Sequence, residues 1–279
     1  MLSNLVNRLS TFLGLRKEPD PLGSIQTPFF ILGSPRSGTT MLRDLLREHP
    51  RLECPEETHF FRWSYPYGSL RYFTSYKNQK LFAKHREIDG IEDDSFFKAM
   101  GLSKSRKEIS NWYGHQILQL RNNPNGRWFD KTPQNVHGAL LIRAEYPDAK
   151  FIHIHRNPLN VVASLMEGKV MPVQSLNAAI NAWLESAMIM EQFRLIAEEQ
   201  LLDIPYEELT SNPEENLRAC FDFLREDAEL VEYETSEIHP EKNKYEGALS
   251  EEQIDHVIER TEPYFSLYGY ARPGEEEQE

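Results

Sequence analysis

The sequence is poor in cysteine, in positive charge and in long apolar runs. Among 279 residues there are two cysteines, Cys54 and Cys220, which suits a reducing compartment better than a disulfide scaffold. Lys and Arg number 31 against 44 Asp and Glu, and the net charge of −13 disfavours a nucleic-acid partner. No run approaches the roughly 18 apolar residues of a membrane-spanning helix. We therefore expect a globular, cytoplasmic protein that holds any anionic ligand in a local cationic pocket.

The two ends of the chain differ in character from the middle. Residues 1–17 carry apolar side chains at helical spacing with basic ones among them, and they lack the features of a signal peptide. We predict a helix docked on its own domain or on the neighbouring subunit of a homodimer; peripheral membrane contact is the alternative. Residues 1–27 form this segment and a linker, residues 28–270 a single domain, and residues 271–279 an acidic, solvated tail.

A strand, a glycine loop and a helix follow one another near the start of the domain. FFILG, residues 29–33, is a short apolar run that predicts a buried parallel strand. The next residues have the Gly-x4-Gly spacing of a P-loop, from Gly33 to Gly38, ahead of an amphipathic helix. A P-loop continues with Lys and then Ser or Thr, whereas this chain has Thr39 and Thr40. The loop therefore keeps the phosphate cradle without its lysine.

This loop can bind an anion through its backbone. The N–H groups that would surround the anion at the helix N-terminus belong to Arg36, Ser37, Gly38, Thr39 and Thr40. ATP chemistry also needs a lysine at the β- and γ-phosphates and an Asp for Mg²⁺. Arg36 is displaced from the lysine slot, and neither FFILG nor FIHIH ends in Asp. A kinase-like P-loop enzyme is therefore the less favoured alternative.

Downstream residues repeat the alternation of strand and helix. Residues 151–155 predict a strand, Arg156 and Asn157 a turn, and Pro158 the first residue of a helix that ends near Gly168. Further predicted elements are a helix over 175–200, a strand at LLDIP running into a loop, a helix from Asn212-Pro213 to Leu224, and a last helix with a capping box at Ser250. The pattern predicts a three-layer, P-loop-like α/β fold with a mainly parallel central sheet. The aromatic-rich residues from about 62 to 125 predict a helical insertion on the substrate side.

Two of these segments resemble a known family. SPRSGTT, followed by HPRLECPEETHFF, is similar to the PAPS-dependent sulfotransferase superfamily, in its tyrosylprotein sulfotransferase-like, bacterial-type branch. The resemblance implies 3′-phosphoadenosine 5′-phosphosulfate (PAPS) as co-substrate and no metal. It also implies that the loop cradles the 5′-phosphosulfate and that Arg36 is the loop arginine of this branch. A sulfonate donor has no polyphosphate to clamp, which accounts for the missing lysine.

The resemblance assigns further residues to the nucleotide. FIHIHRNPLNVVASL matches the family segment in which Arg156 and, eight residues on, Ser164 hold the 3′-phosphate; an arginine fork suits phosphate oxygens. The tyrosine of IPYEEL, Tyr206, stands where the family contacts the adenine, with a core tyrosine as the alternative. KNKYEG resembles the segment that closes over the 3′-phosphate, where Lys244 is the expected contact and Lys242 the alternative.

The catalytic base separates the branches of this family. Small-molecule members carry Lys-Thr-His, but this chain reads Lys131, Thr132 and Pro133, and His137 is four residues too far along to substitute. The tyrosylprotein-like branch uses the second Glu of Glu-Glu-Thr, which implies Glu57 as general base. Lys131 and Arg36 would stabilise the charge on the leaving 5′-phosphate.

Two further features of the sequence concern cysteine and histidine. Cys54 matches a cysteine of that branch, but no partner cysteine precedes Lys131, so the corresponding disulfide is not expected. His153 and His155 are two residues apart and lie on the same face of one predicted strand. No third potential metal ligand stands at a characteristic spacing, so buried, hydrogen-bonded histidines are favoured over a metal-binding pair.

The resemblance implies transfer of sulfonate from PAPS to a hydroxyl, with release of adenosine 3′,5′-bisphosphate. A small molecule or glycan is favoured as acceptor, and a peptide tyrosine is the other option. A kinase-like enzyme and a catalytically silent nucleotide-binding protein are the alternative functions.

Overall fold

The structure is a computed structural model of the chain. It describes residues 26–274 apart from 63–64, 169–172, 174, 233–234, 236 and 241–242. The amphipathic segment 1–17, the acidic residues 275–279 and Lys242 lie outside the described residues, so the predictions for them stay predictions.

A five-stranded parallel sheet forms the centre of the molecule. Its strands are β1 (Phe29–Leu32), β2 (Leu52–Glu53), β3 (Arg127–Lys131), β4 (Lys150–His155) and β5 (Leu201–Pro205). Their order is β2-β3-β1-β4-β5, and every neighbouring pair is parallel. The predicted parallel sheet is confirmed. Because β1 lies between β3 and β4, the chain connections at the carboxyl end of β1 run to opposite sides of the sheet. This switch point, where the loop after β1 lies, is where open α/β sheets bind ligands.

Thirteen helices in the described part of the chain surround the sheet. They are α1 (Thr39–Arg47), α2 (Leu70–Asn78), α3 (Lys80–Asp89), α4 (Asp93–Leu102), α5 (Arg106–Leu120), α6 (Ala139–Glu145), α7 (Pro158–Met166), α8 (Leu176–Ala197), α9 (Tyr206–Ser211), α10 (Pro213–Leu224), α11 (Tyr245–Ala248), α12 (Glu251–Thr261) and α13 (Tyr264–Leu267). Short 3₁₀ turns occupy Pro133–Gly138, Glu198–Gln200 and Ala228–Leu230. None of the helices in this part is both long and apolar enough to cross a membrane.

The side chains of β1 show why the fold has three layers. Phe29 and Ile31 pack with α1 and α10 on one face of the sheet. Phe30 and Leu32 pack with α5, α6 and α8 on the other. All four side chains are fully buried, as expected for a central parallel strand covered on both faces. Truncating Phe30 to Ala should therefore cost about 3–5 kcal/mol of folding free energy.

The predicted insertion consists of helices α2 to α5. Its core is aromatic, with the rings of Tyr76, Phe82, Phe96 and neighbours in contact. The insertion packs on the sheet where α5 crosses β3, and a Cβ at Gly114 would lie 2.3 Å from the ring of Trp128. Only glycine lets the helix approach the strand this closely, so the sheet and the insertion form one continuous core.

Two details differ from the sequence-based expectations. Residues after β5 form the short helix α9 instead of a loop, because Glu207 and Glu208 in its first turn complement the helix dipole. Strand β3 was not anticipated, since RWFDK is rich in charge. It is nevertheless buried throughout; Arg127 donates to the carbonyls of Thr27 and Leu224.

Candidate active site

The carboxyl ends of four parallel strands meet at one edge of the sheet. The glycine loop follows β1, Lys131 ends β3, Arg156 follows β4 and Tyr206 follows β5. Side chains that are far apart in sequence therefore surround a single opening.

The loop has a fixed backbone shape. Arg36 and Gly38 have left-handed φ angles of 72° and 91°. A Cβ on Gly38 would lie 2.3 Å from Cδ2 of Tyr206, so neither the conformation nor the space admits a side chain. The first helical hydrogen bond runs from Leu42 N–H to the Gly38 carbonyl, 3.0 Å. The amides of the first turn of α1 consequently have no intrahelical acceptor and can bind an anion.

Ser37 supports the loop from within. Its N–H donates to the Ser34 carbonyl at 3.2 Å, and its hydroxyl pairs with the Ser34 hydroxyl at 2.6 Å. Ser37 is fully buried. Its N–H and its hydroxyl are thus both engaged inside the loop, which leaves Gly38, Thr39 and Thr40 to offer amides outward.

A cleft of about 380 Å³ opens beside the loop. It is lined by Arg36, Gly38, Thr39, Thr40, Met41, Arg156, Tyr206, His239, Pro240 and Lys244. The volume is that of a small-molecule site. Seven of the lining residues were predicted for the nucleotide; Met41, His239 and Pro240 were not.

Arg36 connects the two segments that were predicted to bind phosphate groups. Its Nε donates to Ser164 Oγ at 2.9 Å, and its carbonyl accepts from Arg156 Nη1 at 2.9 Å. Arg156 is buried, with its guanidinium carbon 4.4 Å from the centre of the Tyr206 ring. Stacking on Tyr206 pre-orients the guanidinium at the cleft wall.

Lys131 joins the loop to the Glu57 segment. Its Nζ donates to Glu57 Oε1 at 2.7 Å and lies 3.3 Å from Thr40 Oγ1. The side chain of Lys131 is 2% exposed and that of Glu57 21%. A buried ammonium shared between a carboxylate and the phosphate loop can meet negative charge that develops in the cleft.

The two adjacent glutamates face different partners. Glu56 Oε2 accepts from Arg43 Nη1 at 3.1 Å, and the Glu56 N–H donates to Asp89. The Glu57 carboxylate instead meets Lys131, and the Glu57 carbonyl accepts a hydrogen bond of 3.0 Å from His85 Nδ1. Only Glu57 therefore has its carboxylate at the junction with the loop.

Buried hydrogen bonds anchor the Glu57 segment to β3. Thr58 Oγ1 donates to Asp130, and Thr132 Oγ1 donates to the same carboxylate at 2.8 Å. Thr132 Oγ1 in turn accepts from the His59 N–H at 3.3 Å. Burial raises the pKa of Asp130 to about 6. Asp130 and Thr132, the residues on both sides of Lys131, are thus tied to Thr58 and His59.

The histidines and cysteines named in the sequence analysis lie outside the lining of the cleft. His153 Nδ1 lies 2.8 Å from Asp203, and His155 Nδ1 lies 2.7 Å from the hydroxyl of Tyr270. Both are buried, hydrogen-bonded histidines, and the described residues contain no cluster of three potential metal ligands. Cys54 and Cys220 are buried free thiols. His137 is exposed on the 3₁₀ turn after β3.

Besides His85, two further histidines near the site were not anticipated. His239 lines the cleft, in a segment without any periodic signal. His59 is buried, with Nε2 3.6 Å from Glu57 Oε2. The sequence indicates a role for His59 only through its position, two residues after the expected base Glu57.

Comparison with known proteins finds a matching family and similar sequences. The family model described as "Sulfotransferase family" matches residues 28–229. Protein-tyrosine sulfotransferase A of Caenorhabditis elegans is 26% identical over 204 residues, 71% of this chain and 50% of the relative. An uncharacterized protein of Aquifex aeolicus is 28% identical over 223 residues, 75% of this chain and 27% of the relative. The chain thus spans half or less of the length of these two relatives.

A solved structure shares the fold. The sulfotransferase domain of the Synechococcus PCC 7002 olefin synthase superposes with a TM-score of 0.64 at 19% identity, covering 92% of this chain and 99% of that domain. The three-layer α/β architecture predicted from the sequence is confirmed by this likeness.

Proposed function

The chain belongs to the sulfotransferase family, and on that premise we propose that it transfers the sulfonate of PAPS to an acceptor hydroxyl and releases adenosine 3′,5′-bisphosphate. The observation that carries the proposal is the contact of Lys131 with both Glu57 and Thr40. This contact supports the proposal because it joins the proposed base, a lysine and the glycine loop. The names of the curated relatives support the same reaction class.

The donor groups of the cleft suit this nucleotide. The amides of Gly38, Thr39 and Thr40 would hold the 5′-phosphosulfate at the N-terminus of α1. Arg156, with Ser164 bound to the neighbouring Arg36, would hold the 3′-phosphate, since a guanidinium matches phosphate oxygens. Tyr206 would lie against the adenine. Lys244 stands at the rim of the same cleft.

The reaction steps follow from the junction residues. When bound, PAPS would supply an activated sulfonate on a phosphate leaving group. Glu57 removes the proton of the acceptor hydroxyl as general base. Lys131 donates to the negative charge that appears on the leaving phosphate, and the loop amides and Arg36 add to that stabilisation. The helical insertion would contribute to the acceptor side of the site, since its His85 holds the Glu57 backbone.

The acceptor is proposed as a class. The net charge of −13 is unfavourable for acidic peptides and favours a neutral small molecule or glycan. The relatives named protein-tyrosine sulfotransferase support a phenolic hydroxyl as the other option. The buried free thiols of Cys54 and Cys220 support a reducing compartment such as the cytoplasm.

Calorimetry in EDTA tests the nucleotide. Adenosine 3′,5′-bisphosphate should bind at micromolar concentrations, and ATP far more weakly, because ATP lacks the 3′-phosphate that Arg156 would contact. Equal affinity for ATP, or a strict need for Mg²⁺, would refute the proposal. Incubation of cell extract with ³⁵S-labelled PAPS, followed by mass spectrometry of labelled products, then identifies the acceptor.

A further inference from the structure

His59 is an unusual residue beside the proposed base. Its backbone is left-handed, with φ 58°, a conformation in which histidine is among the more tolerated side chains. The side chain is 1% exposed. Its ring stacks on Phe82, with centroids 4.3 Å apart, and on His85 at 5.6 Å. Both rings belong to helix α3 of the insertion, so the insertion fixes where the imidazole points.

The two ring nitrogens of His59 have no hydrogen-bond partner among the described residues, and both are shielded from solvent. A buried polar atom without a partner is costly and calls for an explanation. Glu57 Oε2 lies 3.6 Å from Nε2, just beyond hydrogen-bonding range. A small rotation of the Glu57 carboxylate closes that gap.

The ring is held neutral. Burial, with smaller contributions from Arg62, His85 and Lys131, lowers the pKa of His59 to about 2. A neutral imidazole can donate from only one nitrogen. A proton on Nε2 would point at Glu57 without removing the negative charge that a general base needs.

The contacts of Glu57 indicate when this donor matters. In the structure Oε1 accepts from Lys131, and Lys131 also reaches Thr40 of the loop. If Lys131 turns toward a leaving phosphate, Glu57 loses its strongest partner. Oε1 is then available to the acceptor hydroxyl, and Oε2 needs another donor to keep the carboxylate in place.

We propose that His59 is a positioning residue, which donates from Nε2 to Glu57 Oε2 and holds the carboxylate toward the acceptor during sulfonate transfer. This inference rests on the proposed function. His59 does not touch the acceptor, because its ring nitrogens are shielded.

Two substitutions separate hydrogen bonding from backbone strain. Asn tolerates a left-handed backbone but its amide ends near the position of Nδ1, short of Glu57. Gln is less tolerant of that backbone, yet its amide reaches the position of Nε2. His59→Asn should lower turnover about 10- to 100-fold, the scale of a misplaced catalytic group, with unchanged affinity for adenosine 3′,5′-bisphosphate. His59→Gln should restore turnover, although it should unfold at a lower temperature than His59→Asn.

The kinetic test uses ³⁵S-labelled PAPS with 2-naphthol as probe acceptor and the full chain. His137→Asn, at the exposed histidine after β3, is the matched control and should turn over as the wild type does. Full activity of His59→Asn overturns the proposal. The proposal is also overturned if the less stable variant is the less active one, that is, if His59→Gln turns over no faster than His59→Asn.

A second measurement does not depend on activity. In ¹⁵N-histidine NMR at pH 7, the spectrum of His59, assigned by its loss in His59→Asn, should show the neutral tautomer protonated on Nε2. That signal should shift in Glu57→Gln. A charged ring, the Nδ1-protonated tautomer, or no response to Glu57→Gln overturns the inference. A wild-type chain that transfers no sulfonate but gives the expected spectrum would instead contradict the proposed function alone.

Discussion

The proposed nucleotide half of the site and its proposed acceptor half are held in different ways. Apart from Lys244, the nucleotide half consists of residues at the carboxyl ends of β1, β4 and β5, so hydrogen bonds of the sheet fix its geometry. The acceptor half is the segment around Glu57, which has no regular secondary structure. Side-chain hydrogen bonds hold that segment, from His85 and Asp89 of the insertion and from Asp130 of β3.

The difference predicts how each half responds to change. A strand end tolerates loss of one side chain, because the backbone stays in place and only the contact with ligand is lost. A segment held by side chains moves when one of them is altered, and a displacement of about 1 Å can cost about 100-fold in rate. Variants of the nucleotide half should therefore change binding, and variants of the acceptor half should change turnover.

The largest effect is expected from Glu57→Gln. Gln keeps the shape and hydrogen-bonding reach of the side chain but removes its basicity. Turnover should fall by about 10²- to 10⁴-fold, the usual worth of a general base. Affinity for adenosine 3′,5′-bisphosphate, measured by calorimetry, should stay nearly constant.

The neighbouring glutamate is the matched control for that variant. Glu56→Gln should be mild, because the Glu56 carboxylate pairs with Arg43 and not with Lys131. An inactive Glu56→Gln beside an active Glu57→Gln would reverse the assignment. Loss of nucleotide affinity in Glu57→Gln would show that the two halves are not separate.

The sequence predicted which residues would lie together around the cleft, because their signals are local. FFILG, the glycine spacing and the Arg156-Asn157-Pro158 turn each lie within one strand–loop–helix unit, and the structure places them at one edge of the sheet. Parallel strands bring such turns together without any further information.

The acceptor half depends on contacts that no local pattern contains. RWFDK became a buried strand only because Arg127 finds the carbonyls of Thr27 and Leu224, which are distant in sequence. His59 is buried because Phe82 and His85 of the insertion stack on it. Its proximity to Glu57 could be read from the sequence, but its burial and its missing partners could not.

A smaller effect is expected from Arg156→Ala in the nucleotide half. Affinity for adenosine 3′,5′-bisphosphate should weaken by about 2–4 kcal/mol, the scale for loss of a partly desolvated charge-assisted contact. Affinity for AMP, which lacks the 3′-phosphate, should change little, and so should the melting temperature. Arg71→Ala, at an exposed arginine of α2, is the control. Equal losses for both nucleotides in calorimetry would mean that Arg156 does not meet the 3′-phosphate.

Asp130 tests the acceptor half through stability. Its pKa is raised from 3.8 to about 6, so the folded state binds the proton more tightly than the unfolded state does. That contribution to stability is present at low pH and is lost as pH rises through the window between these values. The unfolding free energy of the wild type relative to Asp130→Asn should fall by about 2 kcal/mol between about pH 4 and about pH 6.5. Urea denaturation at a series of pH values measures it, and a difference independent of pH would contradict the burial of this carboxylate.

The smallest effect is expected from Lys244→Ala, at the part of the nucleotide half that the sheet does not hold. Lys244 is exposed and lies at the N-terminus of the short helix α11, so water and salt screen its charge. The variant should weaken binding of adenosine 3′,5′-bisphosphate by about two- to fivefold at low salt, the worth of an exposed ion pair, and by less at high salt. Lys242→Ala, measured alongside, decides between the two lysines of KNKYEG: a larger loss there would move the contact to Lys242. A loss near 100-fold in Lys244→Ala, insensitive to salt, would mean that this segment closes over the nucleotide and buries the lysine. The nucleotide half would then, like the acceptor half, depend on a side chain for its final geometry.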